Sequence, residues 1–416
     1  MTFAENKFKD VSVIGAGPVG MLAALSLAHN GFSVFLIGPP TRTDELRTTA
    51  LMMSAIRMLK DVHVWDSLKH HAAALSFIKI IDITSRIARA PTVNFCSSEI
   101  GEEAFGYNIP NVQLNKALSN SVANTPNITR LFSPATNFQH REDSVCISLE
   151  DGKIVQSPLI VAADGQRSLA REAAGIGIKK WNYPQTALVL NFSHDFSHQN
   201  TSIEFHTEDG PFTQVPLRGH RSSLVWVVSH SRADELLGME QKEIAEVIEE
   251  KMQSVLGRIT IETSIQAWPL SGLLPRHFAA NRTILVGEAA HVLPPIGAQG
   301  LNLGFSDIRT LIDVLHNKIS EINFEEVVTH YNRYRKPDVF IRSGSVHMLN
   351  RALLSSVLPV HIMRSIGLGL LRHHSPLRSF CMREGISPGY GLKKITRISP
   401  INRFKKYIDV MKNGRH

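Results

Sequence analysis

Three glycine-bearing stretches put groups suited to phosphates and polar ligands at strand-to-helix crossings. "GAGPVG" sets Gly15, Gly17 and Gly20 between the apolar run "VSVI" and the helical run "MLAALSLAH". The first glycine permits a tight turn, the second lets a pyrophosphate approach the backbone, and the third lets the helix pack closely. "LIVAADGQRSLAREAAGI" ends a strand on Asp164-Gly165 and leaves Asp164, Gly165, Arg167 and Arg171 at the carboxyl edge of a sheet, where α/β proteins bind ligands. Read alone, Asp-Gly is more often a plain turn. The third stretch, "GEAAHVLPPIGAQGLNLG" at 287–304, carries one charge, Glu288, between "RTILV" and a helix with Leu301, Phe305, Ile308, Leu311, Ile312 and Leu315 at helical spacing. Backbone amides converge at such a helix start, where anions and polar ligand groups are favoured.

The first motif lacks one expected part. A dinucleotide fold usually ends its second strand on an acid that holds ribose hydroxyls, and here the residues are Ile37, Gly38 and Pro39. Asp44 or Glu45 could substitute, or the backbone could hold the ribose.

The elements that must carry these stretches follow from periodicity. "DVSVIGAGPVGMLAALSLAHNGFSVFLIG" reads as strand, turn, helix and strand, with the helix ended by Asn30-Gly31. "NVQLNKALSNSVAN" reads as a helix from Asn111, and "DSVCISLEDGKIVQSPLIVAAD" as two strands around Asp151-Gly152 followed by a buried strand. From about residue 182, "QTALVLNFSH", "TSIEFHT", "PFTQVPL" and "SSLVWVVSH" are short β-rich runs, with one helical segment, "ADELLGMEQKEIAEVIEEKMQSVLG", inside the block. After Asn281 the α/β character returns and then becomes mostly helical. The β-rich block therefore reads as an insertion, with divisions at 1–181, including strands near 74–97 that belong beside the insertion, 182–275, 276–345, and a helical basic region at 346–416.

Composition narrows the classes. The chain has 416 residues, 43% apolar and 20% charged, an ordinary soluble balance. Cys96, Cys146 and Cys381 form no disulfide framework or metal-ligand spacing. The start enters a strand without a signal-peptide pattern, and no apolar run reaches the roughly 20 residues of a spanning helix, which points to the cytoplasm. The net charge of +8 is concentrated late: from Tyr331 onward Lys and Arg far outnumber Asp338, Glu384 and Asp409. That asymmetry suits an anionic partner surface or a solvated basic tail. Few aromatics accompany the basic residues, which argues against nucleic acid. "LLSSVLPVHIMRSIGLGLLRHH" at 353–374 has interfacial composition, interrupted by Pro359, although its leucines could equally pack on the main body. His291 reads as structural, Trp226 as sheet core, and the pairs His70-His71 and His373-His374 as no metal site.

The order of the three stretches resembles the group A FAD-dependent aromatic monooxygenases, the class of 4-hydroxybenzoate hydroxylase. Within it, the chain is most similar to the ubiquinone-biosynthesis flavin hydroxylase family, the UbiH/UbiF/VisC type. "RTTAL" at 47–51, "TEDGPFTQVPL" at 207–217, "SSLVW" at 222–226 and "YNRYRKPD" at 331–338 extend the resemblance over nearly the whole chain. It implies an α/β fold: a Rossmann-like FAD-binding domain of the glutathione-reductase type, with an inserted β-rich substrate domain and a helical C-terminal region. It also implies that Gly15, Gly17 and Gly20 cradle the ADP half of FAD, that Arg47 and Gln113 touch the cofactor, and that Asp164 sits near the pyrophosphate. Gly287 and Glu288 would pass the ribityl chain, Pro295 would lie near the isoalloxazine, and the amides of Gly300, Leu301 and Asn302 would face its pyrimidine edge.

Two positions depart from the family pattern. Glu288 stands where Asp is usual, and Gly297 and Ala298 exchange the usual small-residue order. The activity implied is hydroxylation of a polyprenylated phenol by way of a flavin hydroperoxide, with NAD(P)H or another donor as reductant and oxygen as co-substrate. No obligatory protein acid or base is named. A soluble aromatic substrate, or a non-catalytic flavoprotein subunit of a quinone-biosynthesis complex, are the alternatives. Partners implied are a prenylated phenol or quinone intermediate, other ubiquinone-biosynthesis proteins, and peripheral contact with the inner face of the cell membrane.

Overall fold

The computed structural model describes residues 7–41, 45–85, 89–295, 297–316, 324–354 and 358–386. Its centre is a six-stranded sheet in the order Ala279–Ala280, Thr283–Leu285, Leu159–Ala162, Val11–Ile14, Val34–Ile37 and Ile128–Leu131. All pairings are parallel except that of Ala279–Ala280 with its neighbour. A parallel sheet is covered on both faces, and Val11–Ile14, Val34–Ile37 and Leu159–Ala162 are accordingly apolar and buried at nearly every position. The α/β class and the Rossmann-like arrangement read from the sequence are those observed.

The helix Pro18–His29 begins directly after the glycine turn, with proline in its first turn, where no amide is required. Its residues from Gly20 to Ala28 are all buried, because it lies between the sheet and the helices Asn111–Ala123 and Gln299–His316. A four-stranded sheet of Lys7–Phe8, Ile154–Ser157, Val145–Leu149 and Ala135–His140 flanks this core, and its hairpin turns at Gly152, φ +82°.

The β-rich block is an eight-stranded sheet built around the 17-residue strand Ile178–His194, which pairs with Ile259–Ile261, Gln266–Pro275 and Arg221–Ser229. Beyond Arg221–Ser229 come Pro211–Leu217, Thr201–His206, Phe77–Asp82 and Val93–Cys96. One face packs Phe192, Phe205, Phe212, Leu224 and the buried Trp226 under two helices. Those helices, His230–Leu237 and Gln241–Lys251, replace the single helical segment read from the sequence; the chain breaks at Gly238, and Glu240 and Glu243 form a capping box for the second.

The C-terminal part is helical: Phe324–Leu354, Leu358–His373 and Ser375–Ile386. The first of these runs 31 residues through Pro337, so the division drawn at residue 345 falls inside a helix. Pro359 lies in the first turn of Leu358–His373, where it starts a helix rather than interrupting one. No helix among the described residues is long and apolar enough to cross a membrane.

Candidate functional site

The two N-terminal stretches meet at the carboxyl edge of the central sheet. Gly15 has φ +102°, and a Cβ there would lie 2.2 Å from the Ala163 carbonyl oxygen. A Cβ on Gly20 would lie 1.9 Å from the Gly15 carbonyl oxygen. Both glycines are thus required by the protein's own packing. Gly17 differs, since a Cβ there meets nothing within 4 Å. Its backbone faces open space at the start of a helix, the arrangement an approaching anion needs.

Asp164 adjoins this opening. Its Oδ2 accepts the Ala170 amide at 3.2 Å, while Oδ1 is buried with no partner among the described residues. Burial pushes the carboxyl above the usual aspartate range, against the opposing pull of the Ser168 hydroxyl and the Ala170 amide. An orphaned buried acceptor carries a cost that a bound ligand can remove. Arg171, read from the sequence as an edge residue, turns inward instead. It is buried and donates to the carbonyls of Ala289 and Gln166, each at 2.9 Å, and so ties this stretch to the third one.

At the end of Val34–Ile37, where the ribose acid is missing, stands Arg130. Its guanidinium donates to the carbonyls of Leu36 at 3.0 Å, Gly38 at 2.6 Å and Pro39 at 3.0 Å. Glu45 is engaged elsewhere, taking Nε and Nη2 of Arg47 at 2.7 and 2.6 Å, and Asp44 lies outside the described residues. Sequence reading missed Arg130 because the strand that carries it pairs with Val34–Ile37 from far along the chain.

The third stretch turns at Gly287, φ +61°, and exposes Glu288 between the buried Gly287 and Ala289. Glu288 lies close enough to Arg47 to raise that guanidinium's pKa, an effect led by the Glu45 hydrogen bond and opposed by burial. The Arg47 guanidinium also stacks 4.5 Å over the Trp268 ring. Gln113, in the first turn of Asn111–Ala123, is partly open; the helix start is fixed nearby by the Asn111 amide donating to the Arg47 carbonyl at 3.0 Å. Pro295, Gly297 and Gly300 are exposed, and Gly297 and Ala298 both have positive φ, at +65° and +53°. The exchanged order therefore puts an alanine in a left-handed conformation that L side chains disfavour. Leu301 and Asn302 are partly buried. The Asn302 side chain is fully used as a bracket: it donates to the carbonyls of Ala50 at 2.8 Å and Ala298 at 2.7 Å and accepts the Met52 amide at 2.8 Å. Only its backbone is left to face a ligand.

Beneath the third stretch lies a charge network that sequence reading did not assemble. Asp307 is fully buried and accepts the Gly287 amide at 2.8 Å, His291 Nε2 at 2.7 Å and Arg335 Nε at 2.8 Å. Burial alone would raise its pKa, but His291 and Arg335 together hold it below the ordinary value. Arg335 also binds Asp338 at 2.6 Å, and Tyr331 donates to the Leu285 carbonyl at 2.9 Å. His291 is structural, as its sequence context indicates. The available signal was Asp307 itself, an acid one turn from both Leu303 and Leu311 on an apolar stripe.

Across from these groups is the second face of the eight-stranded sheet. Ser223 meets the hydroxyl of Thr48 at 2.9 Å and the amide of Asn108 at 3.3 Å, and Asn191 donates to the Leu46 carbonyl at 2.9 Å, which fixes this face against the strand that Asn302 brackets. On the other side, Asn350 of the long helix donates to Gln185 at 2.9 Å. Between these two walls, one register row remains partly open: Gln266, Val189, Val225, Thr213, Glu204 and Ile80 are direct cross-strand neighbours in sequence. Ala187, Val227 and His206 on one side, and Asn191, Ser223 and Ser202 on the other, are buried. The row crosses six strands, about 24 Å at strand spacings of about 4.8 Å.

A family model described as an FAD binding domain matches residues 9–339, and the chain belongs to that family. Ubiquinone hydroxylase UbiL of Rhodospirillum rubrum is 29% identical over 93% of this chain and 91% of its own length. The 3-demethoxyubiquinol 3-hydroxylase of Escherichia coli is 28% identical over 87% of this chain and 94% of its own. Among solved structures, PqsL, a probable FAD-dependent monooxygenase from Pseudomonas aeruginosa, shares the fold with a TM-score of 0.74 at 19% identity, covering 87% of this chain and 100% of that one.

Proposed function

We propose that this member of the FAD-binding family is an FAD-dependent monooxygenase that hydroxylates the aromatic ring of a polyprenylated phenol in ubiquinone biosynthesis. The observation that carries the reading is the pairing of an open glycine cradle with a partly open row of side chains across the β-rich sheet. Gly17 leaves room for a pyrophosphate, Asp164 Oδ1 lacks a partner among the described residues, and Glu288 is exposed between buried neighbours, all at one sheet edge. These residues fit FAD. In this reading Gly15, Gly17 and Gly20 hold the ADP half, and Arg47, Gln113 and Asp164 contact the cofactor. Gly287 and Glu288 line the ribityl chain, while Pro295 and the amides of Gly300, Leu301 and Asn302 border the ring. Bound FAD supplies the reduction of oxygen and the transfer of one oxygen atom, with NAD(P)H as the electron donor. The chain supplies orientation and a helix N-terminus at Gln299 that favours negative charge.

The substrate class rests on that row and on the names of the relatives. A partly open row spanning about 24 Å at ordinary strand spacing is longer than a lone aromatic ring needs and suits a ring bearing isoprene units. Such a substrate lies in a bilayer, and the C-terminal helices offer a contact for it. Ile366, Leu370 and Leu377 are 57%, 44% and 42% exposed beside Arg372, a composition suited to an anionic interface. The purified protein is expected to carry about one FAD per chain, as the dinucleotide fold implies, and to consume oxygen with NAD(P)H when a prenylated phenol is added. A colourless protein, or one whose oxygen uptake ignores the phenol, would contradict the reading.

A further inference from the structure

We propose that Glu204, oriented by His206, is the residue that receives the hydroxyl group of the phenolic substrate. The assignment rests on the functional reading above. The strand "TSIEFH" alternates: Ile203 and Phe205 enter the core under the helices, whereas Ser202, Glu204 and His206 take the opposite face, the one whose Ser223 meets Thr48. Glu204 opposes Thr213 in register, and Thr213 opposes Val225, so the carboxylate lies in the open row itself.

The other members of that row are Gln266, Val189, Val225, Thr213 and Ile80, so Glu204 is its one acidic side chain. Its side chain is 16% exposed, although the Ser202 and His206 positions beside it are buried. His206 Nε2 donates to Glu204 Oε1 at 3.0 Å and fixes the carboxylate, leaving Oε2 for a ligand. Among the described residues no other group binds Glu204. His206 Nδ1 is likewise buried without a partner among them.

A largely buried carboxylate with one oxygen unpaired is costly unless something donates to it, and a phenol hydroxyl is such a donor. The chemistry gains from the contact. A hydrogen bond from the hydroxyl to a charged acceptor pushes electron density into the ring, and it strengthens as the ring gives electrons to the incoming oxygen atom. Glu204 therefore acts more on the rate than on substrate capture.

The test compares wild type, Glu204→Gln and Glu204→Asp on a farnesylated phenol and on its methyl ether, which has no proton to donate. FAD content and melting temperature are measured alongside, to confirm that each variant folds. Glu204→Gln is expected to lower kcat on the phenol by roughly 10- to 100-fold, at the low end of acid–base contributions, with KM little changed. Glu204→Asp should recover part of that loss. On the methyl ether, wild type and Glu204→Gln should be equally slow. Equal kcat for wild type and Glu204→Gln on the phenol, or an equal loss on both compounds, overturns the assignment alone. A wild-type protein that forms no product from the phenol refutes both the assignment and the functional reading.

Discussion

The carboxylate of Asp307 accepts the backbone amide of Gly287 at 2.8 Å, and so the turn that presents Glu288 is held from beneath by a fully buried charge. The same carboxylate takes His291 and Arg335, which joins the strand edge, the helix Gln299–His316 and the long C-terminal helix at one point.

Removing that charge should be severe. Asp307→Asn takes from the buried Arg335 the more deeply buried of its two carboxylate partners and leaves it Asp338 alone, a loss expected to cost up to about 3–5 kcal/mol, measurable by urea denaturation. The pH dependence has a definite sign. The folded-state pKa of Asp307 is depressed, so its stabilisation is complete above the unfolded value of about 3.9 and disappears as pH falls through the lower folded value. Wild type should lose stability on that acid limb, and Asp307→Asn should lose less there. Parallel acid limbs in the two proteins would count against the network.

The glycine turn separates folding from binding. Gly15→Ala meets the Ala163 carbonyl and a disfavoured φ, so it should fold poorly. The Cβ of Gly17→Val meets no protein atom within 4 Å, so its melting temperature without FAD should stay close to that of the wild-type apoprotein while flavin is lost. Full flavin occupancy in Gly17→Val would move the pyrophosphate away from this turn.

Glu288 offers a graded test. If it holds ribityl hydroxyls, Glu288→Ala should weaken FAD by roughly 1–3 kcal/mol, the cost of leaving polar groups unpaired. Glu288→Asp should retain most of the affinity. Fluorescence titration of apoprotein with FAD reads both, and an alanine variant that binds like wild type would exclude the carboxylate from the site.

The C-terminal helices should bind vesicles containing anionic lipid, and salt should weaken that binding through screening. Replacing Ile366 and Leu370 by serine should reduce it, and truncation after Gly391, in a segment outside the described residues, should reduce it further. Co-sedimentation that ignores salt, substitution and truncation alike would remove the interfacial role.

Much of the nucleotide fold was legible because its signals are local. Gly15 to Gly20, the strands beside them and the turn at Asp151-Gly152 lie within single segments, where periodicity and turn chemistry suffice. The parts that were not legible depend on distant pairings. Arg130 reaches the Gly38 carbonyl only because Ile128–Leu131 adds to Val34–Ile37. Arg171 turns inward toward Ala289 because the two stretches share one sheet edge. The partly open row needs the register of six strands, and "TSIEFH" reveals its polar face only once Thr201–His206 is known to lie between Pro211–Leu217 and Phe77–Asp82. No window of sequence contains that information.

The most direct measurement supplies the FAD-loaded protein with NAD(P)H, isotopically labelled oxygen and a farnesylated phenol, and weighs the product by mass spectrometry. The account predicts a ring-hydroxylated phenol that carries a single labelled oxygen atom and forms only when FAD is present. An unlabelled product, or oxygen consumed entirely to peroxide with the phenol recovered unchanged, would contradict it.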